Sequence, residues 1–158
     1  MSPPPERYRI LEHAADGKFR AFGGTIEEAF ANAVLACASL MWDWASVRRR
    51  VDHRIEIHGR DLEQLLYRLL EEVLYLQDTR SFILADVEDL KIEEGPVRAS
   101  AGAGPAGEGP PFRLSARFVG DDDPEAYEVH GEVKAVTYNE MKIERSCDRV
   151  SVQVVVDM

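Results

Sequence analysis

Cysteine is scarce in this chain: there are two in 158 residues, Cys37 and Cys147, far apart in sequence. No C-x-x-C pair exists, so neither a zinc ribbon nor a dithiol redox motif is supported. Long apolar runs are also missing. No stretch approaches the roughly 20 residues that carry a helix across a bilayer. The opening Met1-Ser2-Pro3-Pro4-Pro5 lacks the basic-then-apolar pattern of a secretory signal. A cytoplasmic location with reduced thiols and no membrane contact is expected. Basic residues are outnumbered, with 19 Lys and Arg against 29 Asp and Glu and a formal net charge of −10. The densest basic run is Arg48-Arg49-Arg50. Nucleic-acid binders neutralise phosphates with clustered cations, so strong direct RNA binding is not expected. An acidic surface suits a basic protein partner or a divalent cation. Catalytic signatures are absent as well. There is no G-x-S-x-G elbow, no P-loop lysine motif and no H-E-x-x-H helix. None of His13, His53, His58 and His130 pairs with another at helical ligand spacing.

What is present reads as one folded domain spanning 1–158. Apolar residues make up 45% and charged residues 30% of the chain, ordinary values for a globular protein. The Pro-rich residues 1–6 are expected to fray. Tyr8 to His13 reads as a strand, Asp16-Gly17 as a turn, and Lys18 to Phe22 as a second strand ended by Gly23-Gly24. Thr25-x-x-Glu28 is a capping box opening a helix. Ile26, Phe30, Ala33, Val34, Cys37, Leu40 and Met41 line its apolar stripe, so Cys37 reads as a core residue. Arg48 to His58 alternates as a strand ended by Gly59. Asp61, with Gln64 three residues on, caps a second helix whose buried face carries Leu62, Leu65, Leu66, Leu69, Leu70 and Val73. Glu72 falls at the edge of that stripe, about 90° from its centre, where an ordinary solvated helix residue is one reading of it. Phe82 to Ile92 reads as one or two strands, and Val97–Ser100 with Arg113–Val119 as hairpin arms. The Gly-, Pro- and Ala-rich 101–111 between them reads as a flexible loop. Glu132 to Glu144 and Val150 to Val156 read as antiparallel neighbours across a turn at Ser146 to Arg149. Strands and helices do not alternate strictly, so the expected fold class is α+β, a single domain with two helices packed on mainly antiparallel sheet.

Two segments imitate functional motifs. Gly102-Ala103-Gly104-Pro105-Ala106-Gly107 fits G-x-G-x-x-G, but Pro105 interrupts it and Gly109-Pro110-Pro111 prevents the helix that would receive a phosphate. Asp121-Asp122-Asp123-Pro124-Glu125 resembles the start of an EF-hand loop, with Glu132 at the twelfth place. Ala126 stands where the sharp turn needs Gly, and no helices flank it. It reads as an acidic solvated loop.

Two features remain. Leu11-Glu12-His13-Ala14-Ala15-Asp16 sets carboxylates and a histidine at a strand end. Asp157 is followed by Met158 with its terminal carboxylate, at the end of a strand that would order both. Hard anionic oxygens of this kind suit Ca²⁺ or Mg²⁺. Should Asp16 approach them, three carboxylates would converge, and their repulsion would favour a cation or raise one pKa.

Over nearly its full length the chain resembles the archeases. Tyr8-Arg9-Ile10-Leu11-Glu12-His13-Ala14-Ala15-Asp16 is similar to the family's Y-x-x-L-x-H-T-A-D, and Thr25-Ile26-Glu27-Glu28-Ala29-Phe30 to its T-L-E-E-A-F. Asp61 to Tyr67 and Leu70 to Tyr75 resemble the second helix, where L-N-E-x-L-Y is usual. Lys134-Ala135-Val136-Thr137-Tyr138-Asn139-Glu140-Met141 is similar to K-A-V-T-Y-H-x-M, and Val155-Val156-Asp157-Met158 to the terminal aliphatic-aliphatic-Asp-Ile. The chain departs from the pattern at Ala14 for Thr, Gly17 for Ile or Val, Asn139 for His and Met158 for Ile. The resemblance implies a non-catalytic accessory factor in tRNA splicing and RNA repair. Its expected partner is an RtcB-type RNA ligase, whose guanylylation and multiple turnover it would promote and whose nucleotide use it would broaden. It also implies a metal site on Asp16, Asp157 and Met158, the last through its terminal carboxylate or carbonyl. Calcium is the foremost cation, with Mg²⁺ and Mn²⁺ as alternatives. Two other classes fit the same acidic surface: a chaperone-like module for nucleic-acid-processing proteins, and a metal-dependent hydrolase using the same carboxylates. The missing nucleophile and general base weigh against the hydrolase.

Overall fold

A computed structural model describes residues 6–11, 16–94 and 111–158. The expectations for residues 1–5, for Glu12 to Ala15, for a strand at Val97–Ser100 and for the loop and glycine motif up to Pro110 fall outside them.

Alternating apolar and polar residues build the first sheet. β1 (Tyr8–Leu11) and β2 (Gly17–Gly23) pair antiparallel, and β2 pairs in turn with β8 (Val150–Asp157). On the far side of β8 lie β6 (Ala135–Val136) and β7 (Lys142–Arg145), both antiparallel to it. Phe19, Ala21, Val152, Val154 and Val156 are buried on one face. Side chains alternate along each strand, so Lys18, Arg20, Gln153 and Val155 share the other.

The second sheet has three strands in the order β3 (Val51–Gly59), β5 (Phe112–Asp121), β4 (Ile83–Glu94), all antiparallel. The hairpin partner of β5 is therefore β4, a single long strand. Two register shifts bend it, between Leu84 and Asp86 and between Glu88 and Lys91. Local bulges of this kind increase twist and let a long strand curve over a core.

Both helices begin as the caps dictate. α1 (Ile26–Ser39) follows Thr25, whose hydroxyl accepts from Glu28 N at 3.1 Å, while Glu28 Oε1 accepts from Gly24 N at 2.7 Å. α2 (Leu62–Arg80) repeats the arrangement: Asp61 Oδ1 accepts from Gln64 N at 2.7 Å and Gln64 Oε1 from Arg60 N at 2.8 Å. In each helix the reciprocal bond reaches one residue before the N-cap. α2 ends at Ser81 in a left-handed conformation, φ 55°, a common helix stop.

α1 departs from the expected single stripe. Ala29, Phe30, Ala33, Val34, Leu35, Ala36, Cys37 and Ala38 are all buried. The helix touches β2 and β8 of one sheet, β4 of the other, and α2. A helix apolar on nearly every side belongs in the centre of a domain, and its small residues let both sheets come close. α2 lies outside it against β3 and β6, burying Leu65, Leu66, Leu69, Leu70, Val73 and Leu76. Trp42, just beyond α1, donates from Nε1 to Leu84 O at 2.9 Å in the interior, tying the helix exit to β4. The fold is α+β, with two helices on antiparallel sheets, as the element order required.

Candidate functional site

The register of β2 and β8 decides where the two acidic ends go. The last paired residues are Gly17 and Val156. Asp16 precedes the one and Asp157 follows the other, so the ladder continued by one step would set these two residues opposite each other. Directly opposed residues hold their Cβ atoms about 5 Å apart on one face of the sheet. By alternation that face is the outer one, shared with Lys18, Arg20 and Gln153. The turn expected at Asp16-Gly17 is a bend at Asp16 with Gly17 already in the strand.

The chain end is fixed from both sides. Asp157 pairs with Ala135, and its carbonyl accepts from Lys134 N at 2.7 Å. Met158 points the other way, into the core edge. A Cβ on Gly17 would lie 2.8 Å from Met158 Sδ and 2.9 Å from Leu40 Cδ1; a Cβ on Gly131 would lie 3.4 Å from Met158 Cε. The thioether therefore fills the space an Ile or Val at position 17 would take. Gly17 is buried in a paired strand. Anchoring Met158 by its side chain leaves Asp157 exposed on the outer face and the Met158 main-chain oxygens at the end of β8.

Among the described residues no three His, Cys, Asp or Glu side chains gather as a metal cluster. A cation here would rest on two side-chain carboxylates and main-chain oxygen. All of these are hard oxygen donors of the kind calcium, magnesium and manganese take, so the donor chemistry fits the group. The β2–β8 pairing leaves Asp16 just before one strand's last pair and Asp157, followed by Met158, just after the other's.

A polar network on the outer face runs up to this point. Lys18 Nζ donates to Glu140 Oε1 at 3.0 Å. Arg20 Nε donates to Gln153 Oε1 at 2.9 Å, and Gln153 Nε2 to the Glu140 carbonyl at 2.9 Å. Gln153 is nearly fully buried, and both ends of its amide are satisfied. Residue spacing alone does not point to Glu140 or Gln153 here, because the strand expected over Glu132 to Glu144 is broken. A turn at 137–141 separates β6 from β7. Thr137 Oγ1 donates to Val155 O at 2.8 Å and accepts from Asn139 N at 3.2 Å, and Glu140 sits in a left-handed conformation at φ 53°.

The other acidic candidates are accounted for by structure. Asp121 ends β5 almost wholly buried, accepting from Tyr127 Oη at 2.6 Å and from Asp122 N at 2.8 Å. The Tyr127 hydroxyl bond holds its carboxyl below the usual range. The segment is thus a structural acid followed by a short 3-10 turn, Pro124–Ala126. Glu72 is half-buried on α2, and burial followed by the neighbouring Glu71 charge pushes its carboxyl up. Burial pushes the Cys37 thiol up to about 12, which removes it as a nucleophile.

Comparison with known proteins agrees with this architecture. Residues 8–158 match the model of the archease protein family (MTH1598/TM1083). The archease of Pyrococcus furiosus is 38% identical over 143 residues, covering 90% of this chain and 91% of that protein. That of Methanosarcina mazei is 35% identical over 161 aligned positions, covering both chains entirely. The solution structure of protein 1598 from Methanobacterium thermoautotrophicum superposes with a TM-score of 0.76 at 29% identity, over 96% of this chain and 99% of that one. The crystal structure of a Thermotoga maritima archease, described as a possible chaperone, shares the fold at a TM-score of 0.57 and 17% identity, over 100% of this chain and 98% of that one. With the family model matched from β1 through both helices and both sheets to Met158, this chain belongs to the archease family.

Proposed function

We propose that this archease is a non-catalytic activator of an RtcB-type RNA ligase, and that it holds a divalent cation, calcium foremost, on Asp16, Asp157 and the main-chain oxygens of Met158. The observation supporting this reading is the β2–β8 register, whose last pair, Gly17 and Val156, directly adjoins Asp16 and Asp157. The net charge of −10 supports a cation or a basic protein surface as the direct partner, with RNA engaged by the ligase.

Guanylylating a ligase histidine brings a triphosphate, with its cluster of negative charge, into the partner's site. A bound divalent cation supplies charge neutralisation there. The rigid β8 end presents carboxylates at a fixed place, and contact with the ligase shifts it toward the conformation competent for guanylylation and turnover. The same contact would broaden which nucleotide the ligase accepts. The work is cytoplasmic in this reading.

Single-turnover guanylylation of the ligase tests it, with wild type, Asp16→Ala and Asp157→Ala. Each variant is expected to lose most of the stimulation. Stimulation at the wild-type level by both would remove the carboxylates from the mechanism. A general chaperone-like role, in line with the description of the Thermotoga maritima relative, predicts instead binding to several clients with no change in the guanylylation rate.

A further inference from the structure

Lys18 is the one lysine of β2 and lies two residues after Asp16, which immediately precedes the strand. Two residues along a strand span about 6.6 Å, within reach of a four-carbon stem. An ammonium is a compact charge on a flexible arm, able to lie over the aspartates as an internal substitute for a metal. The structure sends it elsewhere. Nζ is 3.0 Å from Glu140 Oε1, and only 19% of the Lys18 side chain is exposed.

Glu140 is held to this task by its backbone. Its carbonyl accepts from buried Gln153, its φ of 53° is one that non-glycine residues rarely adopt, and Met141 N closes the turn on Tyr138 O at 3.2 Å. A left-handed non-glycine residue costs free energy and persists only where the surroundings fix it. Thr137 and Gln153 fix this one to β8, the strand that ends in Asp157. An ion pair of this exposure contributes little to stability. What it determines is the position of a positive charge.

We propose that Glu140 is a positioning residue for the cation site, which holds the Lys18 ammonium away from Asp16 and Asp157 so that a divalent cation can take those carboxylates. This rests on the reading of Asp16 and Asp157 as ligands. Without the Glu140 charge, Lys18 turns to the next anions on its face, the two aspartates, and competes with the ion.

Calcium binding by titration calorimetry on the purified full chain provides the test, with Asp16→Asn as the control for the site. Glu140→Gln is expected to weaken calcium binding roughly tenfold, the order for a unit charge some 7 Å from the ion at an intermediate dielectric. Lys18→Met is expected to tighten it. The decisive measurement is the double variant: in the Lys18→Met background, Glu140→Gln changes nothing. An equal loss in both backgrounds makes Glu140 a direct ligand or a general charge effect and overturns the proposal. So does wild-type affinity in Glu140→Gln, or weaker binding in Lys18→Met, the variant that leaves the turn intact. Absence of calcium binding by wild type, or its survival in Asp16→Asn, removes the site reading and the proposal with it. Calcium binding that is lost in Asp16→Asn but indifferent to Lys18 and Glu140 removes the proposal alone.

Discussion

Gly17 and Met158 share one volume, and each explains the other. A thioether lies over the glycine, with Sδ 2.8 Å from where a Cβ would stand. Met is unbranched and adapts to irregular gaps. Gly17→Val is therefore expected to destabilise by about 1–3 kcal/mol through overpacking. Adding Met158→Ile should recover part of that, since Leu40 and Val156 still crowd the site at 2.9 Å and 3.0 Å. Urea denaturation of the two single variants and the double measures the coupling. Residues in contact couple by more than about 0.5 kcal/mol; strict additivity would mean that the two do not share the space. The pairing could not be read from sequence, because position 17 and position 158 meet only through the β2–β8 register.

At the scale of elements, what the chain announces and what it conceals follow from range. Thr25, Glu28, Asp61 and Gln64 act within one helical turn, so both helix starts were legible. The apolar stripe of α2 was legible too, because its opposite face stays in solvent. The spacing predicts one apolar side for α1, whereas the helix is buried almost all round; Ala and Cys hide this, being compatible with either surface. The break between β6 and β7 was invisible because the turn carries Glu140 at φ 53°, not the Gly that usually marks such a place. The burial of Asp121 depends on Tyr127, a partner no spacing rule connects to it. Glu72 is the element-scale feature with a measurable consequence. Its carboxyl is raised by burial and by Glu71. The folded state then holds a proton that the unfolded state has released, so stability falls as pH rises from the ordinary Glu range through the folded pKa. Below that range both states are protonated and the penalty is absent. Glu72→Gln is expected to raise the melting temperature at pH 7 and to have no such effect near pH 3. Thermal melts of both proteins across that interval check it; an equal gain at both pH values would assign the effect to packing instead of charge.

The whole molecule carries a net charge of −10, and among the described residues Arg9, Arg49, Arg60, Arg113 and Arg117 pair with its own acids. On the outer face of the three-stranded sheet Arg49 bridges Asp86 and Glu88 at 2.5 Å and 2.7 Å. Arg117 pairs with Asp52 at 3.1 Å and with Glu88, and Arg113 with Glu56 at 2.7 Å. Two kinds of cation effect on stability must then be separated. Any salt relieves the repulsion of a strongly acidic surface by shortening the screening length, to about 10 Å at 0.1 M. A specific site adds stability only for the ion it fits, roughly 2.7 kcal/mol at 100 times the dissociation constant. Calcium compared with sodium at equal ionic strength isolates the second effect. Wild type is expected to melt higher in calcium, while Asp16→Asn and Asp157→Asn keep the sodium response and lose the calcium increment. The two variants should fail alike, because the proposed site takes one carboxylate from Asp16 and one from Asp157. Equal melting temperatures for wild type in the two salts would reduce calcium to a screening ion, and the meeting of Asp16 and Asp157 at the sheet end would then be left without a ligand to explain it.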